Sequence, residues 1–75
     1  MFIKSEKSDD IKTFGENVRR LRKEQNLSME ELANLADIEL SQIYRIETGK
    51  INPKLTTILQ IAKGLEIESY LLLKK

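Results

Sequence analysis

The sequence predicts an all-α domain built around a helix-turn-helix, and three observations carry that expectation. Ser28, with Glu31 three residues on, forms a capping box, and Leu27 and Leu32 stand where a hydrophobic staple fixes the chain at a helix start. Leu32, Leu35 and Ala36 then share one helical face while Glu30 and Asn34 take the other, until Asp37 and Ile38 interrupt the pattern. A new pattern begins near Glu39, in which Ile43 and Ile46 share a face and Gly49 closes the helix as a left-handed cap. The two helices are about three or four residues apart, the spacing of a helix-turn-helix.

The other elements follow in chain order. Residues 1–10 alternate basic and acidic side chains without a helical period and read as a flexible N-terminal arm, with the domain proper over 11–75. Ile11, Phe14, Val18, Leu21 and Gln25 form a stripe, so a first helix is expected from near Asp10 to near Gln25, with Gly15 weakening its first turn. Gly49 to Pro53 makes a loop, which the proline keeps extended. Leu55, Ile58, Leu59, Ala62 and Leu65 give a fourth helix a wide apolar stripe, whose role is core burial. A short fifth helix starts near Glu68. Leu71, Leu72 and Leu73 point in three directions, so one core cannot bury them all, and Tyr70, Leu71 and Leu73 are expected to form a C-terminal dimer interface.

Composition narrows the function. With 75 residues there is room for one small domain, whose core gains from a partner surface. Cysteine and histidine are both absent, which removes disulfides, the usual zinc sites and most nucleophile and base pairings. Neither an enzyme nor a cofactor or metal site is expected, and Glu30 and Glu31 are explained by their place at a helix start. The longest apolar run, Tyr70 to Leu73, is far too short to span a bilayer, so a cytoplasmic protein without a membrane partner is expected. Net charge is only +1. Any basic footprint must therefore come from distribution: Arg19, Arg20, Arg22 and Lys23 in the first helix, and Arg45, Lys50 and Lys54 in or after the third.

On a wheel of about 100° per residue, Ser41, Arg45 and Thr48 lie opposite Ile43 and Ile46, flanked by Gln42 and Tyr44. Hydroxyl, amide, phenol and guanidinium groups are the ones that hydrogen-bond base edges and phosphates. Leu32-Ala33, Ala36, Ile38, Ser41, Ile43, Arg45-Ile46-Glu47, Gly49-Lys50 and Pro53, taken in order, resemble the DNA-binding domain of the Cro and cI repressor type, or XRE family. The resemblance covers Gly15 to about Leu72. It implies a compact five-helix bundle of the lambda-repressor-like type, with the helix-turn-helix formed by helices 2 and 3. It also implies a transcriptional regulator that binds double-stranded DNA as a homodimer on a pseudopalindromic operator, with residues 39–48 in the major groove.

Site residues follow from face and resemblance together. Ser41, Gln42, Tyr44 and Arg45 are expected to read bases, Arg45 being suited to guanine O6 and N7. Ser28, Met29, Thr48, Lys50 and Asn52 are expected on the DNA backbone, the first two at a helix N-terminus that favours phosphate. The resemblance further implies an ion pair of Arg22 with Glu47, tying helix 1 to helix 3.

Three positions depart from the family pattern: Met29 where glutamine is frequent, Asp37 where glycine is usual, and Glu39 where Ser or Thr is usual. Glu39 is a poor cap, and facing DNA it would repel phosphates or accept from a cytosine amino group. Leu40 is expected to pack inward, the alternative being a thymine methyl. These departures and the small net charge keep a second reading open, a protein-interaction module such as an antitoxin, with a protein partner on the C-terminal surface.

Overall fold

The computed structural model describes residues 7–75 and arranges them in five α-helices: α1 (Lys7–Glu24), α2 (Met29–Ala36), α3 (Leu40–Glu47), α4 (Leu55–Leu65) and α5 (Tyr70–Leu73). Of the arm expected over 1–10, residues 1–6 lie outside the described residues, and residues 7–10 are helical. Asp9 and Asp10 in the first turn account for the earlier start, because carboxylates favour the positive end of a helix dipole. At the start of α2 both bonds of the capping box are made: Glu31 N donates to Ser28 Oγ at 3.0 Å and Ser28 N to Glu31 Oε1 at 2.7 Å.

One stop device is used four times. Asn26, Asp37, Gly49 and Glu66 follow the four longer helices with φ of 59°, 59°, 71° and 56°. After each, an amide reaches back to a carbonyl five residues earlier: Leu27 to Arg22, Ile38 to Ala33, Lys50 to Arg45 and Ile67 to Ala62. This is the Schellman arrangement, and Leu27, Ile38 and Ile67 add its usual apolar contact by packing against the core. Asp37 thus supplies the left-handed turn of the helix-turn-helix without glycine, and Glu66 does the same at a steric cost of about 1–2 kcal/mol.

Every helix contributes to one core, which joins Phe14 and Val18 of α1, Leu32 and Ala36 of α2, and Ile43 and Ile46 of α3 to residues of α4 and Leu72 of α5. Two pairs of helices, α1 with α3 and α2 with α4, approach as backbones. A Cβ on Gly15 would collide with the Ile46 carbonyl oxygen, and one on Gly64 would lie 3.0 Å from Ala36 N. That second approach corrects the expected stripes. The contact line of α4 runs through Thr57, Ile61 and Gly64, which turns Leu55 (70% exposed) and Leu59 (48%) outward. On α2 the inward position beside Leu32 belongs to Ala33, and Leu35 is exposed.

Polar side chains close the remaining seams. Asn17 Nδ2 donates to the carbonyls of Leu72 (2.9 Å) and Lys74 (2.6 Å), fastening α5 to α1, and Gln25 Nε2 donates to Leu65 O at 2.7 Å, occupying a carbonyl left open at the end of α4.

Candidate nucleic-acid interface

The inner side of α3 is anchored first. Ile43 and Ile46 are buried in the core, and Glu47 meets Arg22 in a two-pronged pair, Nε to Oε2 at 2.7 Å and Nη2 to Oε1 at 2.9 Å. The Arg22 Nη1 donates to Leu27 O at 2.7 Å, so the guanidinium joins α1, the α1–α2 turn and α3. Hydrogen bonding to Glu47 raises the Arg22 pKa above its ordinary value, against the opposing effect of burial. The structure therefore brings Arg22 and Glu47 together and takes Arg22 out of any phosphate footprint. Arg20 is also engaged, with Glu24 at 3.4 Å and Asn17 Oδ1 at 3.2 Å, whereas Arg19 and Lys23 are exposed.

The outer side is free. Ser41, Tyr44 and Arg45 are exposed and close together on one face, and none has a side-chain hydrogen bond or ion pair among the described residues. Gln42 sits apart from them, half-buried, in a polar groove of about 500 Å³ that it shares with Glu39, Lys54, Thr57 and Gln60. Thr48 is exposed, but its hydroxyl donates to Tyr44 O at 2.8 Å, so it must rotate before it can donate to a phosphate. Glu39 caps nothing with its side chain. Leu40 does not pack inward as expected: it is 46% exposed, at the first residue of α3.

The start of α2 offers an anion seat. Ser28 Oγ accepts from the Glu31 amide, which leaves its own O–H to donate, and the first amides of the helix have no intrahelical acceptor. Met29 packs its side chain against the core, so only its backbone N–H faces that seat. At the other end of α3, Lys50 is exposed, and Lys12 lies so close that a Cβ on Gly49 would be 3.5 Å from Lys12 Cα. Lys12 is a residue the sequence reading misses, because no period or motif marks an exposed lysine whose partner is a distant glycine. Asn52 is exposed as well, on the rim of a small apolar cleft with Ile11, Phe14, Ile58 and Leu73.

A second surface is apolar. Tyr70 (61%) and Leu73 (56%) are exposed and Leu71 is half-buried, while Leu55 and Leu59 flank Ile58, which shares the cleft with Leu73. Among the described residues no helix is long and apolar enough to cross a membrane, and no cluster of acidic side chains could hold a metal ion.

A short α2, a tight left-handed turn and an α3 with an exposed polar outer face, pinned by a buried ion pair, define a helix-turn-helix DNA-binding domain. The helix-turn-helix family HTH_3 matches residues 18–72, and the chain belongs to that family of XRE-type DNA-binding proteins. It is similar to the HTH-type transcriptional repressor RghR of Bacillus subtilis, 40% identical over 58 residues, and to the immunity repressor protein of Bacillus phage phi105, 34% identical over 56 residues. These matches take in 76% and 75% of this chain but only 43% and 39% of the two repressors, so the chain spans about two fifths of their length. Among solved structures it is similar to the restriction-modification controller protein C.AhdI from Aeromonas hydrophila, with a TM-score of 0.83 and 38% identity, covering 85% of this chain and 97% of that one.

Proposed function

We propose that the chain is a sequence-specific transcriptional regulator that binds a pseudopalindromic operator as a two-fold dimer, with the outer face of α3 in the major groove. The observation that carries this reading is the unpartnered set Ser41, Tyr44 and Arg45 on a helix whose opposite side is locked to the core. Ser28, the Met29 amide, Lys50 and Asn52 flank that face and serve the phosphates, Thr48 joining them once its hydroxyl turns outward. Gln42 reads only once its amide swings out of the groove that it shares with Lys54 and Gln60.

Dimerisation uses the apolar surface of Tyr70, Leu71 and Leu73, extended by Leu55 and Leu59. A second copy covers it and sets two reading helices about 34 Å apart, in successive major grooves. Similarity to the controller protein C.AhdI over nearly the whole length of that protein supports the reading as a regulator. The chain would act in the cytoplasm, where its operator is.

The test is selection from a random-sequence duplex pool at low salt, with sedimentation equilibrium in parallel. Enrichment of a two-fold symmetric site by a dimer supports the reading. A folded dimer that enriches nothing favours a protein-interaction module, and a monomer that enriches a single half-site removes the dimer from the proposal.

A further inference from the structure

We infer that Leu40 is a specificity-determining residue, which selects thymine at one position of each half-site by covering its C5 methyl group. The inference rests on the reading of α3 as the helix in the major groove and goes beyond it by assigning one base to one side chain.

Four observations converge on it. Leu40 opens α3, and residues at the start of a reading helix are the ones that reach base edges. It is 46% exposed in a helix whose other aliphatic residues, Ile43 and Ile46, are 0% and 1% exposed, so its exposed half contributes nothing to this core. An exposed leucine is unremarkable anywhere on a surface, and its position is what gives it meaning. Tyr44 follows one turn later, about 40° around the wheel, and is also exposed, so the two side chains make an apolar edge beside Ser41 and Arg45. Lastly, no helix cap requires leucine here, since the cap position is Glu39 and its side chain forms no cap hydrogen bond.

The chemistry then singles out the base. In the major groove adenine, guanine and cytosine present hydrogen-bonding edges to a protein, and leucine can satisfy none of them. Thymine alone adds an apolar group, its methyl. A leucine laid against any other base strips water from a polar edge and returns no hydrogen bond, so it both favours thymine and penalises the alternatives.

The experiment uses the duplex enriched by the intact chain, with each thymine replaced in turn by deoxyuridine, which keeps the base pair and removes only the methyl. For the unmodified protein, one thymine per half-site is expected to show a loss of about fourfold in affinity, the value of burying one methyl-sized group. Leu40→Ala is expected to bind the thymine duplex with a loss of at least that size, and to be indifferent to deoxyuridine at that position. Leu40→Met is expected to keep the sensitivity. Thermal unfolding of both variants accompanies the titrations, and a midpoint lowered by no more than a few degrees is expected, because about half of the side chain is exposed.

Indifference of the unmodified protein to deoxyuridine at every position would overturn the proposal. So would equal sensitivity in Leu40→Ala. If Arg45→Ala abolishes selective binding while deoxyuridine has no effect, Leu40 alone is wrong and the reading of α3 stands. If no duplex is enriched, the reading fails and the assignment of Leu40 fails with it.

Discussion

On its inner side α3 carries Ile43 and Ile46 in the core and Glu47 in a clamp with Arg22; on its outer side Ser41, Tyr44 and Arg45 face solvent without a side-chain partner among the described residues. Both sides belong to the same eight-residue helix. The inner residues decide where the helix stands and the outer ones what it can touch, so on the proposed function stability and recognition would be carried by different side chains only a residue or two apart in sequence. Measuring both properties for each substitution shows whether that division is real.

The largest effect is expected inside. Glu47→Ala leaves the Arg22 guanidinium buried without its carboxylate, which costs about 3–5 kcal/mol, a large part of the stability of a small domain. Thermal and denaturant unfolding would register it, and the double substitution Arg22→Met with Glu47→Leu should recover most of the loss. A cost below about 1 kcal/mol would mean that the clamp does not hold α3. Because the folded pKa of Arg22 is raised, its contribution is complete below the unfolded pKa and disappears only as pH climbs through the folded value, so the clamp persists at least to about pH 10.

Outside, the effect should move to affinity. Arg45→Ala is expected to lose about 1–3 kcal/mol of discrimination at one base pair, with stability changed by no more than about 0.5 kcal/mol. Titration against the selected duplex and single-base variants reads this, and a uniform loss on all sequences would make Arg45 a phosphate contact instead.

A control away from both sides sharpens the contrast. Glu66 ends α4 in left-handed backbone, so Glu66→Gly should raise stability by about 1 kcal/mol and leave DNA affinity alone. A drop in the denaturation midpoint would show that the Glu66 side chain has a role of its own. The smallest effect belongs to Lys50→Gln, which should lower the slope of log affinity against log salt by about one, equally on specific and random duplexes.

How far the sequence could be read depends on what kind of signal each residue sends. The capping box of Ser28 and Glu31 is local, and both of its bonds are present. The left-handed stops at Asp37 and Gly49 are local too, since chain direction there is set by neighbouring carbonyls. Leu35, Leu55 and Leu59 were misread because a helical period gives the direction of an apolar face but not its edges. Those edges are set by where another backbone comes close, here at Gly64 against Ala36. Gly15 shows the same gap: within α1 it reads as a weakness, and only the passage of the Ile46 carbonyl explains it. At the site, the identity of the outer face was legible, since it follows from the wheel. The inward turn of Arg22 came with the family resemblance, whereas the sidestep of Gln42 into the α4 groove and the exposure of Leu40 depend on packing between helices, which no single stretch encodes.

The most direct test of the division of α3 is to follow the backbone amide resonances of the chain while the selected duplex is added. The account predicts the largest shifts at Ser28 to Glu31, along Leu40 to Arg45 and at Lys50 to Asn52, with Leu55, Leu59 and residues 70–73 little changed. Shifts concentrated on the α4 and α5 surface, with the α3 amides unmoved, would contradict it.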